Sequence, residues 1–181
     1  MKKTILVFAL ALSTGALFAQ KKTTTSATIN FDASTEKDAL PKAENKTTVA
    51  SLDTKKGTVA FETIVKNFSF SNPMMQEHFN GDQWMSSDKF ATASFKGTIT
   101  NLAAVNFDKD GTYTADVAGD LTLHGETKPV KTKATITIKD KAISTKTDFT
   151  IKLEDYKINA GAIAAGKVAK EPKISVVADF K

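Results

Sequence analysis

From Val130 to Ile138 the side chains alternate without a break, with Val130, Thr132, Ala134, Ile136 and Ile138 on one side and Lys131, Lys133, Thr135, Thr137 and Lys139 on the other. A period of two over this length is that of a β-strand with one wet face. The preceding segment repeats it, with Tyr113, Ala115, Val117, Leu121 and Leu123 opposed to Thr112, Thr114, Asp116, Asp120 and Thr122. Gly119 reads there as a bulge or tight bend. After the short Asp140-Lys141 connection, Ile143, Thr145, Thr147, Phe149, Ile151 and Leu153 continue the pattern, so three successive strands pair antiparallel.

Weaker alternation marks five more strands, at Ala27-Ile29-Phe31, around Val49 to Leu52, from Val59 to Phe68, at Ala93-Phe95-Gly97-Ile99, and at Ile174-Val176-Ala178-Phe180. Eight such strands predict an all-β domain. They can close into a barrel just wide enough for side chains or one small ligand, or form two sheets of a sandwich; alternation does not separate these, since both bury one face of every strand.

Three segments break the pattern. Residues 33–46 are polar, contain Pro41 and read as a loop. Residues 71–90 carry Pro73, Met74, Met75, Phe79, Trp84, Met85 and Phe90 without alternation, in a connection too long for an ordinary hairpin. Asn72-Pro73 suits a helix start and Gly81-Asp82 its stop, so a short helical lid is expected between the third and fourth strands. Residues 159–170, rich in Ala and Gly, fit a helical turn or a loose crossover equally well.

The N-terminus has a different grammar. Lys2 and Lys3 precede an apolar run from Ile5 to Leu12 and small residues up to Ala19, the arrangement of a secretory signal peptide over residues 1–19. Cleavage is placed near Ala19, although cleavage after Ala16 fits the small-x-small rule better. The run is too short and wrongly flanked to span a bilayer, and stable membrane insertion is not expected. Residues 20–181 then form a single domain in the periplasm or outside the cell. With no cysteine, its stability must come from the core and the strand ladders. Losing Lys2 and Lys3 lowers the formal charge of +5 by two, and the remaining lysines alternate with apolar residues as a solvated face. Nucleic-acid binding, which needs clustered cations with stacking aromatics, is not expected.

Catalytic chemistry has little to work with. The chain has two histidines, His78 and His124, and no Gly-rich phosphate loop or G-x-S-x-G elbow. A metal site from His78, His124 and Glu77 would need the fold to join them, and no H-x-x-H spacing supports it. His124, just before Gly125, reads as a turn residue with an ordinary turn hydrogen bond. No cofactor is implied. The denser signal is apolar: Phe61, Phe68, Phe70, Phe79, Trp84, Phe90 and Phe95, with Met74, Met75 and Met85, crowd one stretch. Each alone is best read as core. Together they have the flexible and broad side chains of an adaptable apolar pocket.

Gly119-Asp120-Leu121-Thr122-Leu123-His124-Gly125 with Lys128-Pro129-Val130, and Met75-Gln76-Glu77-His78-Phe79 with Asp88-Lys89-Phe90-Ala91-Thr92-Ala93-Ser94-Phe95, resemble the signature stretches of the YceI-like family. The resemblance covers nearly all of residues 20–181. It implies a lipocalin-like, eight-stranded antiparallel up-and-down barrel that binds a polyisoprenoid or fatty-acyl lipid. Two departures stand out: Met75-Gln76 replace the family's Arg-Asp, and Ala91 replaces its usual Pro. The first makes the pocket rim less polar, so a head group read by a charged pair is not implied.

The expected ligand-binding set is Phe61, Phe68, Phe70, Met75, Phe79, Trp84, Met85, Phe95, Tyr113, Leu121, Ile136, Phe149 and Ile151. The favoured function is storage or transport of an apolar small molecule without catalysis. Two alternatives are a lipid-modifying enzyme using Glu77 and His78 as an acid–base pair, and a stress-related surface protein that binds a partner through a strand edge. The oligomeric state stays open, a homodimer included.

Overall fold

The computed structural model describes residues 21–180. The signal peptide expected over residues 1–19 lies outside the described residues. Nine strands form one sheet: β1 (Lys21–Asp32), β2 (Lys42–Asp53), β3 (Thr58–Ile64), β4 (Ser69–Phe70), β5 (Thr92–Ile99), β6 (Gly111–Leu123), β7 (Glu126–Lys139), β8 (Ala142–Thr150) and β9 (Lys173–Phe180). Apart from the two-residue β4, which lies beside the start of β2, each strand pairs antiparallel with its neighbours in the chain, and β1 pairs with both β2 and β9. The result is a closed eight-stranded up-and-down barrel, and closure excludes the sandwich.

The inward positions anticipated for β6 and β7 are the inward positions found, with Ala115, Val117, Ile136 and Ile138 buried. Both tight hairpins are two-residue turns with positive φ at each central residue: His124 (51°) and Gly125 (78°) between β6 and β7, Asp140 (50°) and Lys141 (67°) between β7 and β8. Such turns match the right-handed twist of the flanking strands.

Several expectations need correction. Residues 42–46 are strand, not loop. Their polarity misleads because Asn45, fully buried, has its needs met locally: Nδ2 donates to the Ile64 carbonyl (3.0 Å), and Oδ1 accepts from the Thr47 N–H and hydroxyl (both 2.9 Å). The inward parity of β2 then flips between Asn45 and Thr48, where the β1–β2 register shifts, so one period of two could not trace the strand. Gly119 is no bulge: it stands in unbroken register with Gly97 on β5 and Val130 on β7. The third expected strand ends at Ile64, with Val65–Asn67 in a 3-10 turn. The strand expected to reach Leu153 stops at Thr150, and Leu153–Tyr156 form another 3-10 turn. Residues 159–170 contain one helical turn, α2 (Gly161–Ala164).

The lid helix α1 spans Pro73–Asn80 between β4 and β5, with Asn72 Oδ1 accepting from the Met74 N–H (2.9 Å) and Pro73 in the first turn. Its one fully buried side chain, Phe79, packs against Phe70 (ring centroids 4.9 Å), Phe68 (5.8 Å) and Phe31 (5.9 Å), which fastens the helix to the barrel end formed by β1, β2 and β4.

The barrel wall is not uniform. β7 pairs with β6 along its whole length but with β8 only from Ala134 to Lys139. Where that ladder stops, side chains continue it: Thr147 Oγ1 donates to the Lys133 carbonyl (2.9 Å), Thr132 Oγ1 donates to the Asp148 carbonyl (3.2 Å), and the two hydroxyls lie 3.0 Å apart. Pro129, which has no N–H to donate, lies in this half of β7. The 3-10 turn at Leu153–Tyr156 packs against the same strand.

Candidate ligand-binding cavity

A cavity runs inside the barrel beneath the lid. At the lid end its wall includes Phe31, Phe68, Phe79, Trp84 and Met85; at the far end it reaches Ile99, Val117 and Phe180. It encloses about 150 Å³, close to the engineered cavity of ~150 Å³ that accepts benzene. A longer chain therefore has to displace wall side chains, and the unbranched Met85 and the half-buried Trp84 are suited to yield.

The wall is apolar almost throughout, although threonines contribute to it. Thr63 Oγ1 accepts from Thr48 Oγ1 (3.0 Å), Thr145 Oγ1 donates to the Ala178 carbonyl (3.3 Å), and Thr132 and Thr147 bridge β7 and β8 as described. Their hydroxyls are engaged by protein and their methyl groups remain to face the space. Glu62 and Lys146 border the cavity, but both side chains are exposed. A guest deep in this barrel meets hydrocarbon and little else.

Of the residues expected to bind ligand, Phe61, Phe68, Phe79, Trp84, Met85, Phe95, Leu121, Ile136, Phe149 and Ile151 line the cavity. Three do not. Phe70 lies behind Phe79 and supports the helix. Met75, one turn before Phe79, is half-buried but outside the wall, because an eight-residue helix laid over a barrel end reaches the cavity at one turn only. Tyr113 sits at the opposite end, where its hydroxyl donates to the Lys109 carbonyl (2.9 Å) and its ring packs on the lower core. Leu153 and Ile158 also line the cavity: Leu153, which the alternation placed on the inward face of a strand, starts a 3-10 turn, and Ile158 lies in an irregular segment that no periodicity singles out.

The two histidines stand apart in role. His78 is exposed on α1. The hydrogen bond expected of the His124 side chain within its own turn goes instead to a distant segment: Nδ1–H donates to the Tyr156 carbonyl (2.8 Å), and the Phe90 ring packs edge-on against the imidazole (4.6 Å). Beside it Lys157 Nζ reaches Glu126 (2.5 Å), whose carboxyl is held below its ordinary range by that hydrogen bond and charge. Together these contacts tie residues 153–158 to the β6–β7 turn. Burial pushes the Tyr156 phenol up to about 12, so it stays neutral. Among the described residues no group of three His, Asp or Glu side chains could hold a metal ion.

Residues 16–180 match the YceI-like domain. The chain belongs to the YceI-like family. A UPF0312 protein of Pseudomonas fluorescens is 49% identical over 59 residues, which are 33% of this chain and only 29% of that relative's length. Among solved structures, a polyisoprenoid-binding domain from Saccharophagus degradans, implicated in plant cell wall breakdown, aligns with a TM-score of 0.75 at 14% identity, covering 90% of this chain and 98% of that one. BcnA of Burkholderia cenocepacia aligns at 0.69 and 16% identity, over 86% of this chain and 96% of its own. The YceI protein of Campylobacter jejuni gives 0.53 at 17% identity, over 75% and 81%. At such identities the likeness is one of fold: the YceI-like barrel accommodates very different sequences on the same closed meander.

Proposed function

We propose that this protein takes one long apolar chain, of polyisoprenoid or fatty-acyl type, into its barrel and stores or carries it without transforming it. The observation that carries this reading is the wall itself, apolar from lid to floor, with the hydroxyls of Thr63, Thr132, Thr145 and Thr147 engaged by protein. Burying each methylene contributes about 0.8 kcal/mol, and association costs about 4–15 kcal/mol. A chain of many carbons, not a small hydrocarbon, is what such a wall can hold firmly. The Saccharophagus domain of the same fold, described as polyisoprenoid-binding, supports the ligand class. The wall's own ionisable members point outward, which favours binding over catalysis. The lysine-led apolar segment at residues 1–19 supports action in the periplasm or outside the cell.

The test is to purify the protein from its native host, extract it with organic solvent and identify what co-purifies by mass spectrometry. An apolar chain in near-stoichiometric amount is expected. No extracted lipid, together with unchanged Trp84 emission when a long isoprenoid is added to delipidated protein, would remove the proposal.

A further inference from the structure

Along one line of the barrel wall the main chain does not zip two neighbouring segments together. The β7–β8 ladder ends at Ala134 and Thr147. Beyond it, among the described residues, no backbone hydrogen bond joins residues 126–132 to residues 149–158. Pro129 contributes to this seam. It stands opposite Asp120 in the β6–β7 ladder, where its nitrogen has to point away from β6 and towards the seam, so one donor that could pair there is missing. The strap of residues 149–158 is bonded on its other side instead, the Ile151 N–H to the Pro172 carbonyl (3.4 Å) and the Leu153 N–H to the Lys170 carbonyl (3.1 Å).

Side chains alone close the seam. Next to the end of the ladder, Thr147 and Thr132 span it through their bonds to the Lys133 and Asp148 carbonyls. Next to the β6–β7 turn, His124 holds the Tyr156 carbonyl and Glu126 holds Lys157. Between these two fastenings both banks are cavity wall, with Val130 and Thr132 on β7 and Phe149, Ile151 and Leu153 on the strap. Parting them opens the side of the cavity without breaking a rung of the sheet. The lid has no such weak line, since lifting α1 withdraws Phe79 from Phe31, Phe68 and Phe70 together.

We propose that this seam is the gate of the barrel: an apolar chain enters and leaves sideways between β7 and the strap, which swings on its bonds to residues 170–172 while the lid stays in place. This rests on the cavity reading above and adds the route of access. A slit suits a guest that is one methylene wide along its length. It also gives room to a chain longer than the closed space of about 150 Å³ can take.

The chain has no cysteine of its own, so introduced thiols are unambiguous. Glu126→Cys with Lys157→Cys lies across the seam, and neither residue lines the cavity. His78→Cys with Gly161→Cys lies across the groove between α1 and α2, at two exposed positions, and pins the lid. In delipidated full-length protein each pair is bridged by a bis-methanethiosulfonate of matching length and released again by reductant. Farnesol is then added by stopped flow, with the emission of Trp84, the sole tryptophan, as the signal. Bridging the seam should slow both association and release by about tenfold or more and keep Kd within about twofold, because a fastened gate changes the barrier and not the bound state. Reduction should restore both rates, and bridging the lid should leave them unchanged. Thr132→Val with Thr147→Val, which removes one fastening, should speed both about fivefold. If the lid bridge slows entry as much as the seam bridge, or the seam bridge leaves the rates unmoved, the gate is overturned and the cavity reading stands. If farnesol leaves Trp84 emission unmoved in the unbridged protein, the cavity reading itself fails and the gate with it.

Discussion

Gly97 on β5 and Gly119 on β6 face each other across the barrel wall, and the ring of Phe95 lies over both: a Cβ at Gly119 would come within 2.5 Å of the Gly97 Cα and 2.7 Å of Phe95 Cζ. The two missing side chains make room for one aromatic ring that would otherwise stand in the cavity. Gly119→Ala should therefore act twice. Overpacking should destabilise the barrel by about 1–3 kcal/mol, and displacement of Phe95 into the cavity should weaken apolar ligand binding. Denaturant melts and dye displacement on the same variant check the two effects; a stable variant with normal binding would show that the ring can move elsewhere.

Opposite faces of β7 should respond in opposite ways. Ile136 is 2% exposed, so Ile136→Lys buries an unpaired charge and should unfold the protein or cost several kcal/mol. Lys133 holds Asp116 at 2.6 Å with both side chains well exposed, and Lys133→Glu should cost no more than about 1 kcal/mol. Paired thermal melts decide it.

Chain length offers a measure of how far the lid yields. Affinity for saturated acyl alcohols should rise by about 0.8 kcal/mol per added methylene while the chain still enters the barrel, then level off when the space beneath Trp84 and Met85 is full. A series titrated calorimetrically gives both slope and plateau. A flat series would mean that the cavity remains closed.

The segment from Leu153 to Ile158 should loosen in acid. Glu126 has a folded-state pKa lowered by Lys157, so the stabilisation from this pair is present above the ordinary carboxylate pKa and is lost as pH falls through the lowered value. The protection factor of the Ile158 amide, which donates to the Leu153 carbonyl (3.1 Å), should fall in that acid range. Glu126→Gln should show the lower protection already at neutral pH.

The bond from His124 to the Tyr156 carbonyl should be separable from that ion pair. His124→Asn keeps a residue tolerant of positive φ while removing the imidazole from Phe90 and Tyr156, and should cost about 1 kcal/mol or somewhat more. Thermal melts of the variant, and of the variant combined with Glu126→Gln, check whether the two losses add.

The alternation from Tyr113 to Phe149 was enough to place β6, β7 and β8 with their inward faces, because in a half-buried strand each side chain answers to solvent or core by its own parity alone; it ran on past the end of β8 to Leu153, which lies in a 3-10 turn. Asn72-Pro73 likewise carried the start of the lid helix, a local matter of capping and fixed φ. What the chain could not disclose depends on partners distant in sequence. Asn45 is acceptable inside only because the Ile64 carbonyl lies within reach, and Gly119 is required only because Gly97 and Phe95 are opposite. The closing of β1 onto β9 and the removal of Met75, Phe70 and Tyr113 from the cavity wall are of the same kind. Hydrophobic pattern determines which face of a segment is dry; only the assembled barrel decides whether a dry face meets core, lid or an enclosed space, since that is set by the shape left over when all eight strands have packed.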